Sequence, residues 1–541
     1  MATQRTIELQ PLPQTSQSLK TLSATVNNSQ AGIPLGSPPV GLIDTNGPEA
    51  SNPSSKILPK TRAAIVIAQI SGISFLNSFC NGLIIIGLPT LASDLHLASN
   101  LLVWPSSIAA LTSGSCLLLA GSVADVIGTR IVNLVGCFML SLCVLATGLS
   151  RNGAELVVFR ALTGIASALY LPTGVSIIST SIKSGRPRNV GFACTGLAMP
   201  LGFSFGLVLG GVFVSSAGWR TGWYIAGAAS FLLGVVGVWT LPPNVRTPSE
   251  TSMVKRLVME IDWVGALMAS TCLATFSYVL AMLSADVKNI HKATNIVLLT
   301  LSLVLVPTFV CWMHRQEKIR KPALIPNSLW KNSAFVSVNV VMLLSNAVVN
   351  GMELFSSLFF QEVQRNSAIG ASLRILPSAV FGTFLNLTTG LFINRISAAY
   401  ALAISSLLST GAPLLMALIN PAWPYWYDAF FAQLLFPLSS DVLFTIGLLV
   451  VSDVFPERDQ ALAGAVFNTV SMLGTSVGLT CMSVISAAVT DASNFGDKAS
   501  PEALMSGYRA SFWTLFAWMV TAGVIGGLGL RRVGKVGVKR D

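Results

Sequence analysis

About fourteen long apolar stretches, separated by short polar loops, fill most of this chain. They fall near residues 63–88, 101–120, 131–149, 155–180, 190–214, 222–241, 262–283, 294–313, 334–360, 375–394, 399–419, 429–450, 462–489 and 511–530. Each is close to the ~20 residues that cross a bilayer as a helix. Hydrocarbon offers no partner for a backbone N–H or C=O, so a lipid-facing span must satisfy both internally. Only 10% of the 541 residues are charged, against about 25% in a soluble domain. The pattern predicts an all-α integral membrane protein of about fourteen transmembrane helices.

Charge gives the orientation. Residues 1–60 are polar, rich in Ser, Thr, Pro, Asn and Gln, and carry no secretory signal, so they read as a disordered tail. With that tail in the cytoplasm, the inside loops hold roughly 19 Lys and Arg and the outside loops roughly 8. The inside clusters are Lys183/Arg186/Arg188, Lys255/Arg256, Arg315/Lys318/Arg320/Lys321 and Arg531/Arg532/Lys535/Lys539/Arg540. An even helix count leaves both termini inside. The net charge of +11 lies in short loops rather than on one face, which argues against nucleic acid. The eight cysteines lie in apolar segments and read as small buried residues without a disulfide framework. No phosphate-binding loop, metal-ligand cluster or nucleophile elbow occurs, so no cofactor, metal or catalytic reaction is expected.

A weak repeat divides the chain. Gly202-Phe-Ser-Phe-Gly206 lies in the fifth apolar segment and Gly474-Thr-Ser-Val-Gly478 in the thirteenth. If segments seven and eight are set aside, these become the fifth and eleventh of twelve, as a duplicated transporter would place them. Close helix packing alone also explains such glycines. The expected parts are a tail at 1–60, a six-helix bundle at 61–242, two linker helices within 243–332, a second six-helix bundle at 333–530 and a basic tail at 531–541.

Polar residues inside the spans mark candidate sites. Arg160 sits in the fourth segment, with Thr163, Ser167 and Tyr170 at helical spacing. At that depth an arginine faces a cavity or a partner, or it snorkels to the interface. Gln433, Pro437, Asp441 and Thr445 recur every four residues, with Asp441 near mid-bilayer. A carboxylate that ionises only when its cavity opens to water is a candidate proton carrier, or else a structural acid bonded to a neighbouring helix. Pro437 is placed to kink that helix. Asn339, Asn346, Asn350 and Glu353 form one ridge, which lines a cavity or ties helices together. Shorter ridges are Asn77 and Asn81 with Gln69, and Asn468 with Ser471 and Thr475.

Five places carry a family resemblance: the loop Gly121-Ser-Val-Ala-Asp125-Val-Ile-Gly128-Thr-Arg130; Arg160 followed by Gly164; the glycines Gly202, Gly206, Gly210 and Gly211 followed by Trp219-Arg220; Asp262-Trp263 with Gly265; and Phe359-Phe-Gln361-Glu-Val-Gln364 running to Leu373-Arg374 and Leu376-Pro377. On these the chain resembles the major facilitator superfamily, in its fourteen-helix drug:proton antiporter branch as found in fungi. The resemblance implies two six-helix bundles plus two extra helices that rock about a midplane cavity. It implies that Gly121, Asp125, Gly128 and Arg130 act as a cytoplasmic latch, that Arg160 assists proton coupling, and that Gly202, Gly206, Gly210 and Gly211 form a close-packed seam. Three departures stand out. Cys80 replaces an acid many relatives carry in helix 1, Leu207 replaces a seam proline, and Val126 and Thr129 replace bases in the loop.

The reading that follows is a monomeric exporter of amphipathic small molecules, drugs or secondary metabolites, driven by proton antiport in the plasma membrane or, alternatively, the vacuolar membrane. Asp441, Glu353 and Arg160 are its coupling candidates. Asn77, Asn81, Asn346, Asn350, Gln433 and Asn468 are its cavity candidates. Proton-coupled uptake, for example of iron chelates, and a non-transporting sensor are the rival readings.

Overall fold

Every predicted apolar stretch is helical over most of its described residues in the computed structural model of the chain. The structure describes residues 58–531 apart from 98–103, 183–185, 244–258, 260, 286–289, 322, 393–396 and 456. The expected tails therefore lie outside the described residues, save Leu58–Lys60 and Arg531. The first six helices are α1 (Lys60–Asp94), α2 (Trp104–Ile127), α3 (Thr129–Leu149), α4 (Gly153–Ser181), α5 (Arg186–Ser216) and α6 (Arg220–Thr240). A hairpin of α7 (Trp263–Ala285) and α8 (Ala293–Ile319) follows. The rest are α9 (Ser333–Leu358), α10 (Ala368–Phe392), α11 (Ala398–Leu418), α12 (Ala429–Leu435), α13 (Pro437–Val454), α14 (Glu457–Ala492) and α15 (Pro501–Gly529). No strand occurs among the described residues.

Twelve described helices are long and apolar enough to cross a membrane. The predicted spans at 262–283 and 429–450 give shorter apolar runs, Trp263–Phe276 and Ala429–Phe444. In the second, Pro437 does more than kink the helix. It separates α12 from α13, because proline has no N–H to give and its ring clashes with the preceding turn. Ser409 Oγ of α11 satisfies the break, donating to Leu435 O at 3.0 Å and Phe436 O at 2.8 Å.

Helix starts follow the local sequence. Asn152 Oδ1 caps α4 by accepting from Glu155 N at 2.9 Å, and Glu155 Oε2 reaches back to accept from Arg151 N at 2.8 Å. Asn332 Oδ1 caps α9 through Ala334 N and Phe335 N. Ser500 caps α15 with proline at the first helical position.

The packing repeats. In the first group α1 lies on α5, α2 and α3 on α4, and α3 on α6. In the second, α9 lies on α14, α10 and α11 on α13, and α11 on α15. Counting α12 and α13 as one broken helix, these are the same pairings of first with fifth, second and third with fourth, and third with sixth. The groups meet where α2 packs on α14 and α5 on α10, an exchange of second and fifth helices that a two-fold relation produces. The α7–α8 hairpin stands outside this scheme, with α7 against both α2 and α14. One end of the bundle carries Lys60 and the other Asp94, and these residues name the ends below.

The glycine repeat has a physical basis in this packing. A Cβ at Gly202 would lie 2.2 Å from Phe75 O, and one at Gly206 would lie 2.2 Å from Phe79 O. A Cβ at Gly474 would lie 2.3 Å from Leu343 O, and one at Gly478 would lie 2.5 Å from the Ala347 Cα. In both groups the fifth helix thus presses backbone to backbone on the first. Gly211 serves another contact, facing Ile369 and Ser372 of α10 across the boundary between the groups. Cys194 and Cys311 are exposed on the bundle surface rather than buried as expected.

Candidate functional site

In the second group two acids lie on neighbouring helices. Glu353 on α9 and Asp441 on α13 are both half-buried. Those two helices pack on each other. Asp441 Oδ2 also presses on α10, where a Cβ at Gly382 would stand 2.8 Å from it. Glu353 has no hydrogen-bond partner among the described residues, so it is no helix–helix tie.

The amides around them divide into two kinds. Asn346 Nδ2 donates to Met342 O at 3.1 Å and Asn468 Nδ2 to Gly464 O at 2.9 Å, each one turn back on its own helix. That leaves their side-chain carbonyls for something else. Asn350 Nδ2 does both, donating to Asn346 O at 2.9 Å on its own helix and to Thr475 Oγ1 of α14 at 3.1 Å, a tie between helices. Gln433 is a tie as well. It is fully buried on α12 and donates to Ser356 Oγ of α9 at 3.2 Å. The break at Pro437 explains this, since Gln433 and Asp441 do not share one straight helix face as their spacing suggests.

In the first group Arg160 is 1% exposed, so it does not snorkel. Its Nε donates to Pro105 O of α2 at 3.0 Å and a terminal nitrogen donates to Asn81 Oδ1 of α1 at 3.0 Å. The guanidinium lies 5.7 Å from the centre of the Trp223 ring on α6. One side chain thus joins four helices, with an amide rather than an acid as its partner on α1. Ser167 Oγ donates to Asn77 Oδ1 at 3.2 Å, continuing the contact between α4 and α1. Removing one partner of a buried charged hydrogen bond costs about 1–3 kcal/mol. Asn81→Ala is therefore expected to lower the melting temperature of the solubilised protein by a few degrees. An unchanged melting temperature would show that the Arg160–Asn81 bond carries no stability.

The predicted latch sits between α2 and α3 at the Lys60 end. Gly128 has φ of +110°, a conformation that favours glycine, and it turns the chain between the two helices. Arg130 donates to Val238 O at the end of α6 at 2.6 Å, and Arg62 reaches Thr240 O there at 2.9 Å. Two cations so placed complement the negative end of a helix. This bond of Arg130 stays within its own six-helix group. Gly121 has open space around it. The side chain of Asp125 lies outside those described.

Two motifs resolve into anchors. Asp94 Oδ2 accepts from Trp219 Nε1 at 2.9 Å and pairs with Arg220 at 2.7 Å, so Trp219-Arg220 fastens the start of α6 to the end of α1. Asp262 Oδ1 accepts from Gly265 N at 2.9 Å and from Trp312 Nε1 of α8 at 3.0 Å, which closes the α7–α8 hairpin. Only glycine fits at 265, where a Cβ would meet Asp262 Oδ2 at 2.3 Å.

These features meet in one set of known proteins. The family model of the Major Facilitator Superfamily matches residues 70–479. The chain belongs to the major facilitator superfamily. It is 36% identical to MFS-type transporter 1 of Pyricularia oryzae, covering 96% of this chain and 92% of that protein. It is 24% identical to efflux pump terJ of Aspergillus terreus, covering 82% of this chain and 83% of that one. Its fold is similar to that of a bacterial homolog of the human lysosomal transporter Spinster, with a TM-score of 0.61 and 15% identity over 88% of this chain and 98% of that one. As a major facilitator the protein is a multi-pass membrane transporter, and its paired six-helix groups are the two bundles of that fold.

Two functional candidates of this transporter, Glu362 and Tyr508, escape a reading of the sequence. They lie 146 residues apart, and Tyr508 Oη donates to Glu362 Oε2. In the sequence the stretch around Glu362 stands out only as a family motif. No helical periodicity marks that acid, because the helix it sits on has left the α-helical register.

Proposed function

We propose that this transporter exports amphipathic small molecules in exchange for protons, by alternating access about a cavity between its two bundles. The observation that carries the reading is the placement of two half-buried acids, Glu353 and Asp441, on the packed helices α9 and α13. Two like charges inside a low-dielectric bundle repel, so the pair is suited to take up a proton in one state and release it in another. The free side-chain carbonyls of Asn346 and Asn468 give the same region weak polar contacts, and the aromatic and aliphatic walls supply apolar surface. Such a mixture suits amphipathic molecules. Arg160 takes the place of a second charge on the first bundle, fixed by α2 and α1 rather than by an acid. Export is the direction supported by the name of the Aspergillus terreus relative. In this reading the Lys60 end faces the cytoplasm with both termini, the extra hairpin completes fourteen spans, the Gly121–Arg130 loop acts as a latch, and the protein works as a monomer in the plasma membrane.

Accumulation of a panel of labelled lipophilic compounds, in cells with and without the protein and with and without a protonophore, tests it. Lower accumulation that the protonophore restores is the expected result. Higher accumulation that the protonophore blocks would reverse the direction to uptake. Compounds that bind without flux would make the protein a sensor.

A further inference from the structure

The end of α9 is not α-helical. Phe359–Val363 forms a π-turn, closed by Gln364 N donating to Phe359 O at 3.0 Å. Such widened turns concentrate at functional sites, since they put side chains out of helical register. Here they send neighbouring side chains in opposite directions. Towards the first bundle, Ser357 Oγ donates to Ile85 O at 3.0 Å and Gln361 Nε2 donates to Ile86 O at 3.3 Å and to Ser357 Oγ at 2.9 Å. These bonds clamp α9 onto α1 at the Asp94 end, across the boundary between the bundles. Away from it, Glu362 accepts from Tyr508 Oη of α15. Tyr508 is buried and its ring meets Phe355 of α9 edge-on at 5.6 Å.

Among the other charged groups around the turn, Glu502 of α15 and Arg365 just after the turn are exposed. Arg374 of α10 lies 5.7 Å from the Phe360 ring and 5.9 Å from that of Tyr425, with the Phe360 ring as its contact to the turn. Arg509 of α15 donates to Ile419 O at 3.1 Å. Glu353 lies more than two turns back along α9. The bond that holds the Glu362 carboxylate is therefore the one from Tyr508.

We infer that Glu362, held by Tyr508 on the π-turn that clamps α1, is a second proton-binding site, and that occupying it opens the Asp94 end. A hydrogen bond to an ionised carboxylate is roughly twice as strong as a neutral one, and a water-poor interior strengthens it further. A proton arriving at Glu362 removes the charge and weakens the tie to Tyr508. The turn is then free to return to α-helical register, which rotates Gln361 off the Ile86 carbonyl and off Ser357 Oγ and leaves the clamp on α1 with the Ser357 bond alone. The proton stays on the Glu362 carboxyl until the clamp re-forms. The inference rests on the proposed proton coupling for its place in the cycle, but the opening itself is measured without transport.

The test is a distance between spin labels on the full chain in lipid nanodiscs. Labels go on Arg151→Cys, in the turn between α3 and α4, and Ala422→Cys, in the turn between α11 and α12. Both positions are exposed at the Asp94 end, and the exposed native thiols Cys194 and Cys311 are changed to serine. The parent protein should shift from a short to a long separation as the pH falls. Glu362→Gln, a neutral isostere, should hold the long separation at every pH. Tyr508→Phe, which removes a single oxygen, should shift towards the long separation at alkaline pH, and it supplies the answer if Glu362→Gln does not fold. A parent separation indifferent to pH, or variants that keep the parent's response, would overturn the inference. Export driven by a pH gradient alongside such a result would leave the antiport reading standing. A separation governed by Glu362 in a protein whose export ignores the gradient would remove antiport and keep the gate.

Discussion

Gly206→Val is expected to eliminate most of the folded transporter from the membrane. The Cβ that valine requires would stand 2.2 Å from Phe79 O, and Gly202 has the same relation to Phe75 O one turn earlier. A carbon rests about 3.3–3.6 Å from a carbonyl oxygen, so α1 and α5 would have to part by roughly 1 Å. No rotamer relieves this, because the obstacle is backbone. Overpacking a core costs about 1–3 kcal/mol where side chains can yield, and here they cannot. Lipid offers no hydrophobic drive to restore the contact, since bundle packing depends on close approach. Gly474→Val should do the same to α14 and α9, because its Cβ would stand 2.3 Å from Leu343 O. Gly210→Ala is the control. Its nearest neighbour is the tip of Leu83 at 3.3 Å, which can move aside. Fluorescence-detected size exclusion of the solubilised variants checks the prediction. A monodisperse Gly206→Val peak at the parent level would mean that the α1–α5 seam is looser than described.

The glycines show why so much of the fold is readable. A backbone-to-backbone contact admits one residue type, so the four-residue spacing of Gly202 and Gly206 reappears in Gly474 and Gly478 and marks equivalent helices. Apolar length reveals the helices for a similar reason, since lipid permits few alternatives. Asn152 with Glu155 and Asn332 announce helix starts because capping is local.

The site is legible only in part, because its residues act through partners distant in the chain. Arg160 stands out as a charge at depth, but spacing says nothing about Pro105 and Asn81, to which it donates hydrogen bonds. Gln433 shares a predicted face with Asp441, yet Pro437 breaks the helix between them. Asp441 and Glu353 are each identifiable singly. That their helices, α9 and α13, pack together depends on how the chain folds back on itself, which no one-dimensional period contains.

Asp441→Asn is expected to abolish uphill export while leaving the protein folded and able to exchange substrate for substrate. Asparagine keeps the size of the side chain and part of its hydrogen bonding, so the contact with α10 at Gly382 survives. What disappears is one of the two acidic charges carried by the packed helices α9 and α13. Without it the pair no longer has two states that differ by one proton and by strong mutual repulsion, and a pH gradient has nothing to act on there. Substrate still meets the amides and the apolar walls, so binding and passive exchange persist. Asp441→Glu separates charge from geometry. It restores the acid but adds a methylene toward α10, where Oδ2 already stands only 2.8 Å from the position a Cβ at Gly382 would take, so it should recover little transport and lose protein level. Glu353→Gln should match Asp441→Asn if the two acids work as a pair, and the double variant should then be no worse than either single one, since coupled groups do not add. Proteoliposomes with an imposed pH gradient give the measurement. Export by Asp441→Asn at the parent rate would remove Asp441 from coupling, whereas additive losses in the double variant would make the two acids independent sites rather than one.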